Sequence, residues 1–310
     1  MKKFQFAITD NTTYTGKDAL EFYSSALLEG ASKGTFRVIP GVKSEIKLPK
    51  YDVGNLIKAA GCTWSASGEG TLDQKSFSVC SKDIQLELCT TTFENNFLGE
   101  LLRPGHNTGE VAPTEFIDYM LAEVKKKIQN DLEIAVWQGD SESMSYPYNI
   151  CDGLLMKLAD SDSGAITVTE AATINASNVI AEIKKVYDVI PKEVIKNPNL
   201  KIYVSDAIYK FYQEAVANAS AEAYYVGAKE PNFLGIPIHW APGMADGSMV
   251  AAVSTNLVLL TDLLSDEEEL NVIPQAQISG VRSVRIAGGF KFGVDFLVGE
   301  EIVLYAGAIA

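Results

Sequence analysis

The stretch that most constrains the fold lies between residues 201 and 262. It begins with a strand-like KIYVS at residues 201–205, and an aromatic helical pattern, DAIYKFYQEAV, follows at residues 206–216. Ser205 is well placed to cap that helix, because its hydroxyl can accept from free amides of the first turn. The later runs FLGIPIHW and NLVLLTDLL have the composition of strands. Strand and helix patterns in close succession predict a mixed body of helices and sheet.

A tight turn is predicted at Asp246-Gly247. It separates strand patterns at residues 236–240 and 249–253. Asp-Gly is among the strongest short signals for a two-residue hairpin connection. We therefore expect these two strands to pair with each other.

A long helix is predicted over residues 113–138. Pro113 suits the first helical position, and Gly139 is a stop signal. Apolar residues recur at helical spacing along it, at Ile117, Val124, Ile128, Leu132 and Ala135. At about 1.5 Å per residue, such a helix spans about 39 Å, which is long for a globular domain.

Residues 1–40 form a predicted N-terminal arm. A helical pattern at residues 18–29 places Leu20, Tyr23 and Leu27 on one face. Polar residues and glycines surround this pattern, so we expect the arm to need a partner surface in order to become ordered.

Residues 41–92 read as a long hairpin excursion. Its tip is the glycine-rich ASGEGT, and its return strand alternates, with Ile84, Leu86 and Leu88 on one side. A two-stranded excursion is marginally stable alone in water. It must therefore lie against its own body or against a neighbouring subunit. Lys50 and Lys58 fall in the same excursion.

The sequence contains no recognisable motif of a catalytic or ligand-binding site. A net charge of −14 argues against tight binding of nucleic acid, and no run is long and apolar enough to predict a membrane span. The four cysteines lack metal-site spacing and are expected to be free thiols. His106 falls in a turn-rich loop and His239 in a strand, and neither lies near a nucleophile motif. We predict no enzyme activity, no catalytic residue, no cofactor and no metal.

The order of the elements resembles the major capsid proteins of tailed bacteriophages of the Hong Kong 97 type. The resemblance is carried by RVIPGVKSEIKLP, by the long helix ending in WQGD, and by KIYVSDAIYKFY, FLGIPIHWAPGM and NLVLLTDLLSD. It implies an α+β capsid fold. The implied parts are an N-terminal arm (1–40), an extended loop (41–92), a peripheral domain (93–145 and 266–310) with a spine helix (113–138), and an axial domain (146–265).

The resemblance also implies a function. The chain would be a structural subunit that self-assembles, through hexamers and pentamers, into an icosahedral shell around phage DNA that it does not bind specifically. The shell would be built in the host bacterial cytoplasm and become the virion capsid. Scaffolding, portal and decoration proteins are the implied further partners. The predicted subunit-interface residues are Leu20, Tyr23, Leu27, Lys50, Lys58, Ile84, Leu86 and Leu88.

Two alternatives stay open at this point. An encapsulin-type nanocompartment shell would share the fold and hold cargo proteins in place of DNA. An acid-pair hydrolase would use carboxylates such as Asp140 and Glu142 as general acid and base.

Overall fold

The computed structural model describes residues 13–14, 35–54, 57, 62, 70–89, 114–169, 173–219, 231–262, 270–275 and 283–306. The helices are α1 (Thr114–Gln138), α2 (Leu154–Ala159), α3 (Val179–Val189) and α4 (Asp206–Ala219). The strands are β1 (Thr13–Tyr14), β2 (Arg37–Pro40), β3 (Glu45–Val53), β4 (Gly70–Ser78), β5 (Cys80–Cys89), β6 (Ile166–Thr167), β7 (Leu200–Val204), β8 (Asn232–Phe233), β9 (Ile236–Trp240), β10 (Ser248–Val253), β11 (Leu257–Thr261), β12 (Leu270–Pro274), β13 (Ser283–Phe296) and β14 (Val303–Ala306). Single 3-10 turns cover Tyr148–Ile150, Ser161–Ser163, Ser254–Asn256 and Gly299–Glu301.

The first sheet is built around the long strand β13. Its order is β1-β12-β13-β11-β2, and β5 pairs with β13 as well. The antiparallel pairing with β5 runs from Ser283 opposite Cys89 to Phe292 opposite Cys80. The return strand of the predicted excursion is therefore part of the body's own sheet.

The second sheet has the order β6-β14-β10-β7-β9-β8. Strand β7 lies between its neighbours, antiparallel to β10 and parallel to β9. The predicted hairpin of β9 with β10 is therefore wrong, although the turn exists and Gly247 has a φ of +83°. The reason is that β7 is apolar and almost wholly buried, and such a strand needs partners on both edges.

The connection from β9 to β10 passes over α1. A β-carbon on Gly243 would lie 2.0 Å from the Glu133 carbonyl oxygen, so only glycine permits this approach. At the end of the connection the Gly247 N–H donates to the Ser205 hydroxyl at 3.2 Å. Ser205 thus joins this turn to the start of α4.

The long helix is confirmed, with α1 ending at Gln138 as predicted. Among residues 122–138, whose side chains the structure describes, the deeply buried ones lie in the C-terminal part. There, Trp137 has no exposed surface and lies 5.6 Å from the Phe36 ring and 5.5 Å from the Tyr203 ring, between centroids. Burial also raises the pKa of Tyr203 to about 12. Gly139 follows because a β-carbon there would lie 1.9 Å from the Cys151 carbonyl oxygen.

Within the described residues the core consists of two large apolar clusters and a small third one at Phe77, and the cluster around Trp137 contains residues of both sheets. This cluster includes Phe292, Val294 and Leu304. The other large cluster packs α3 and α4 on the second sheet around residues such as Ile183. Among the helices of the described residues, none combines the length and the apolar character required to span a membrane.

Two strands pair across the predicted domain boundaries. Strand β11 falls within the predicted axial segment, yet it pairs with β13 of the first sheet. Strand β14 falls within the predicted peripheral segment, yet it pairs with β10 of the second sheet. The chain thus passes twice between the sheets after residue 253, and the four-part division remains a prediction.

The expectation of four free thiols is wrong. Cys80 and Cys151 form a disulfide, with their Cα atoms 6.0 Å apart. The pair joins the first residue of β5 to the turn that precedes α2, and 71 residues separate the two positions in sequence. That distance gives no spacing signal. Cys62 and Cys89 are exposed thiols outside the disulfide.

Loss of the disulfide is expected to lower the stability of the subunit. Cys151→Ser is expected to lower the free energy of unfolding by about 2–4 kcal/mol, because the bond closes a long loop. Urea unfolding of unassembled protein without reductant measures the loss. Adding reductant should remove most of the difference from the wild type, and Cys62→Ser serves as the control. Equal stability of wild type and Cys151→Ser without reductant would show that the bond does not form.

Candidate assembly surfaces

Strands β3 and β4 form a separate two-stranded hairpin. They pair along their whole lengths, from Glu45 opposite Ser78 to Val53 opposite Gly70. Within the described part of the chain, no further strand joins this ribbon. Its side chains divide between two faces, because successive residues of a strand point to opposite sides.

The outer face of the hairpin carries exposed apolar side chains. Tyr51 and Leu72 are cross-strand partners, and each is 66% exposed. Tyr51 also lies over its diagonal neighbour, since a β-carbon on Gly70 would come within 2.5 Å of its hydroxyl. Ile57, beyond the end of β3, is 96% exposed. These side chains present apolar surface that the rest of the described structure does not cover.

The inner face of the hairpin is fixed to the body at its root. Phe77 is fully buried against Val42, Val258 and Leu260. Burial of a side chain of this size contributes about 1.5–3 kcal/mol. The hairpin is thus held at the end near β5, while residues 70–74 of β4 are all exposed.

A charged cluster lies beside that root. Lys75 Nζ is 3.0 Å from Asp295 Oδ1, and Lys157 Nζ is 3.0 Å from Asp295 Oδ2. The Lys75 ammonium also donates to the Phe296 carbonyl oxygen at 2.6 Å and lies 3.3 Å from the Phe296 ring centroid. Desolvation lowers the pKa of Lys75, and the Asp295 carboxylate opposes that shift.

Strand β5 carries part of the predicted interface. Ile84 and Leu86 are half-buried and pack on the cluster around Trp137 of their own chain, whereas Asp83, Gln85 and Glu87 are exposed. The predicted alternation is therefore confirmed. With Val124 and Ile128 of α1 and with Phe290, Ile84 and Leu86 line a groove of about 760 Å³.

A tyrosine stands at the rim of this groove. The Tyr146 hydroxyl donates to the Asp131 carboxylate, and this bond ties the segment after α1 back to the helix. Burial, together with the bond and the charge of Asp131, raises the pKa of Tyr146. Lys127 Nζ lies 2.8 Å from the other Asp131 oxygen.

For the other predicted interface residues the structure gives fewer contacts or none. Lys50 is exposed on β3, opposite Asp73. Leu88 is paired through its backbone with Val284. Leu20, Tyr23, Leu27 and Lys58 lie outside the described residues. Their role in an interface remains a prediction, as does that of Lys50, Ile84, Leu86 and Leu88.

The candidate catalytic groups do not converge on a site in the described residues. Asp140 Oδ1 accepts the Glu142 backbone N–H at 2.9 Å, so it stabilises a turn. The His239 ring packs edge-on against Tyr203 at 5.4 Å between centroids. His106 lies outside the described residues. The described part of the chain brings together no group of three or more His, Cys, Asp and Glu that could hold a metal ion.

The fold is similar to those of solved structures of phage and GTA particles. No protein-family model matches the chain, and no curated protein matches it in sequence. A satellite phage P4 procapsid structure aligns at 10% identity and a TM-score of 0.61, covering 93% of this chain and 98% of that one. The capsid of an empty GTA particle aligns at 14% identity and a TM-score of 0.59, covering 90% of each chain.

A structure from Gordonia phage Cozz aligns at 14% identity and a TM-score of 0.60, covering 91% of this chain and 87% of that one. The chain has the fold of phage capsid proteins. The expected α+β class and the resemblance to phage capsid proteins are thereby confirmed at the level of the fold. The aligned regions span nearly the whole length of each compared chain.

Two features of these surfaces have little or no signal in the sequence. The Lys75–Asp295–Lys157 cluster joins three distant segments, and no local pattern connects them. Tyr51 and Leu72 lack a signal for a different reason, since their exposure depends on how far the hairpin projects. The register of β3 with β4 could have predicted that Tyr51 and Leu72 are cross-strand partners. It could not have predicted that they are exposed.

Proposed function

We propose that this protein is a major capsid protein of a tailed bacteriophage of the Hong Kong 97 type. Many copies would assemble, as hexamers and pentamers, into the icosahedral shell that encloses phage DNA. One observation carries the proposal: a body with a capsid-protein fold bears a projecting hairpin whose outer face exposes Tyr51 and Leu72.

The exposed face of the hairpin needs a covering surface. A two-stranded ribbon with apolar side chains in water is marginally stable by itself. A neighbouring copy can bury those side chains, and in a closed symmetric assembly every copy receives the same cover. The hairpin is therefore the surface through which one subunit reaches the next.

The remaining properties fit a structural role. A chain with a net charge of −14 is suited to enclosing DNA without binding it specifically. The Asp140–Glu142 turn offers no support to the hydrolase alternative, because one carboxylate is engaged with backbone. We further propose that the shell assembles in the host bacterial cytoplasm, becomes part of the virion, and works with scaffolding, portal and decoration proteins.

The exposed apolar pair provides the test. The double variant Tyr51→Ser and Leu72→Ser is expected to reduce the yield of closed shells at least about tenfold, because each contact between copies loses two buried side chains. Sucrose-gradient sedimentation followed by negative-stain microscopy measures the yield. Thermal unfolding of the unassembled variant should match that of the wild type.

A control is Met144→Ser, which removes an apolar side chain that is fully exposed and lies outside the hairpin. This control should assemble like the wild type. A normal yield of shells from the double variant would refute the assignment of this surface.

A further inference from the structure

We propose that Asp295 is a positioning residue for assembly. Its carboxylate lies between Lys75 of the hairpin and Lys157 of the body, and by fixing Lys75 it sets the angle between the β3–β4 hairpin and the body. The inference rests on the proposed function, because the angle matters only if the hairpin must meet a neighbouring copy. Three segments supply the cluster: β4 carries Lys75, α2 carries Lys157 and β13 carries Asp295.

Lys75 is the outermost point at which β4 touches the body. Residues 70–74 are all exposed, and Lys75 is the first half-buried residue after them. Phe77, two residues further on, points to the same face and is fully buried. Within the described strands, everything beyond Lys75 projects from this anchor.

The hairpin turns away from the first sheet at Val79. Residue 78 ends β4 and residue 80 begins β5, which pairs with β13. The crossing is close, since a β-carbon on Gly293 would lie 2.5 Å from the Ser78 carbonyl oxygen. At about 3.3 Å per residue, Lys75 lies about 13 Å from this pivot and Gly70 about 30 Å. A movement at Lys75 is therefore about doubled at Gly70.

The cluster suits a positioning role better than a stabilising one. Asp295 is only 7% exposed, and its two oxygens each meet a lysine at 3.0 Å. Buried ion pairs contribute little net stability, because desolvation offsets attraction, but they require a defined geometry. One carboxylate between two cations fixes the position of both lysines.

The two lysines are not equivalent. Each lysine also donates to a backbone carbonyl oxygen of β13, Lys75 to Phe296 at 2.6 Å and Lys157 to Val294 at 2.7 Å, so the difference lies in the elements that carry them. Lys157 lies on α2, and its side chain is 22% exposed. The Lys75 side chain is 33% exposed and lies on the projecting ribbon. If Asp295 lost its charge, repulsion between the lysines would move Lys75 and its hairpin outward, because the ribbon projects from the body whereas α2 is packed into the core through Leu154 and Leu158.

Hydrogen exchange followed by mass spectrometry tests this inference on the full-length, unassembled protein. Lys75→Met is the principal variant, since it leaves the Asp295–Lys157 pair in place. We expect exchange in residues 70–78 to become at least about tenfold faster, with exchange in β10 and β11 unchanged. Asp295→Asn should give the same pattern, and Lys75→Arg should restore wild-type exchange because it keeps the cation.

Shell yield is measured in parallel by negative-stain microscopy. Lys75→Met is expected to lower it at least about tenfold, and Lys75→Arg to keep it. Hairpin exchange within twofold of the wild type in Lys75→Met would overturn the inference, as would equal losses in Lys75→Met and Lys75→Arg. Unchanged shell yield in Lys75→Met would also overturn it. Failure of the wild type itself to form shells would instead count against the proposed function.

Discussion

Shortening the hairpin is expected to abolish closed shells while the subunit stays folded. Lys50 and Asp73 face each other across β3 and β4, so a two-residue Asn-Gly turn can join them in place of residues 51–72. The variant keeps Lys75 and the buried Phe77, and so keeps the root of the hairpin. It loses the Tyr51–Leu72 pair and everything beyond it.

The variant should stay folded because the removed part of the hairpin contributes little to the stability of the body. Of the residues that this variant lacks, Tyr51 and residues 70–72 are exposed and contribute little to the core, so the thermal unfolding midpoint should change by only a few degrees. The contacts that the hairpin makes between copies should disappear, because the projecting surface is gone. Size-exclusion chromatography with light scattering separates small species from shells. Shells of normal size from this variant would contradict the account.

Truncation of Trp137 has the largest expected effect on stability. This side chain has no exposed surface, and it lies between Phe36, which precedes β2, and Tyr203 of the second sheet. Trp137→Ala should lower the free energy of unfolding by about 3–5 kcal/mol, because it leaves a large cavity. That is a large share of a typical total of about 5–15 kcal/mol.

Urea unfolding of the unassembled protein, followed by circular dichroism, measures this change. Trp240→Ala is the matched control, because Trp240 is 42% exposed at the end of β9. The control should cost less than about 1.5 kcal/mol, since little of the removed surface is buried. Similar losses in the two variants would show that α1 does not join the two sheets through Trp137.

The sequence predicts local elements of this fold well. The long helix is recognisable from apolar residues at a period of 3.6, with Pro113 before it and Gly139 after it, and α1 ends where this pattern ends. The alternation around Ile84 and Leu86 likewise predicts a half-buried strand. In both cases the residues that predict the element lie within it or directly beside it in the sequence.

Pairing between distant segments is where sequence reasoning is insufficient. Asp246-Gly247 does form a turn, yet β7 enters between the two flanking strands, because an apolar strand needs two neighbours. Lys75 contacts a residue 221 positions away, and the disulfide spans 71 positions. These contacts depend on the order of strands in the sheets, which local propensity does not determine.

Negative-stain electron microscopy of the purified wild-type protein tests the central claim most directly. The account predicts closed icosahedral shells, or pentamers and hexamers that form shells when concentrated. A uniform population of single subunits at every concentration, with the β3–β4 amides strongly protected from hydrogen exchange, would contradict it. That result would mean that the chain covers its own hairpin and has no need of a second copy.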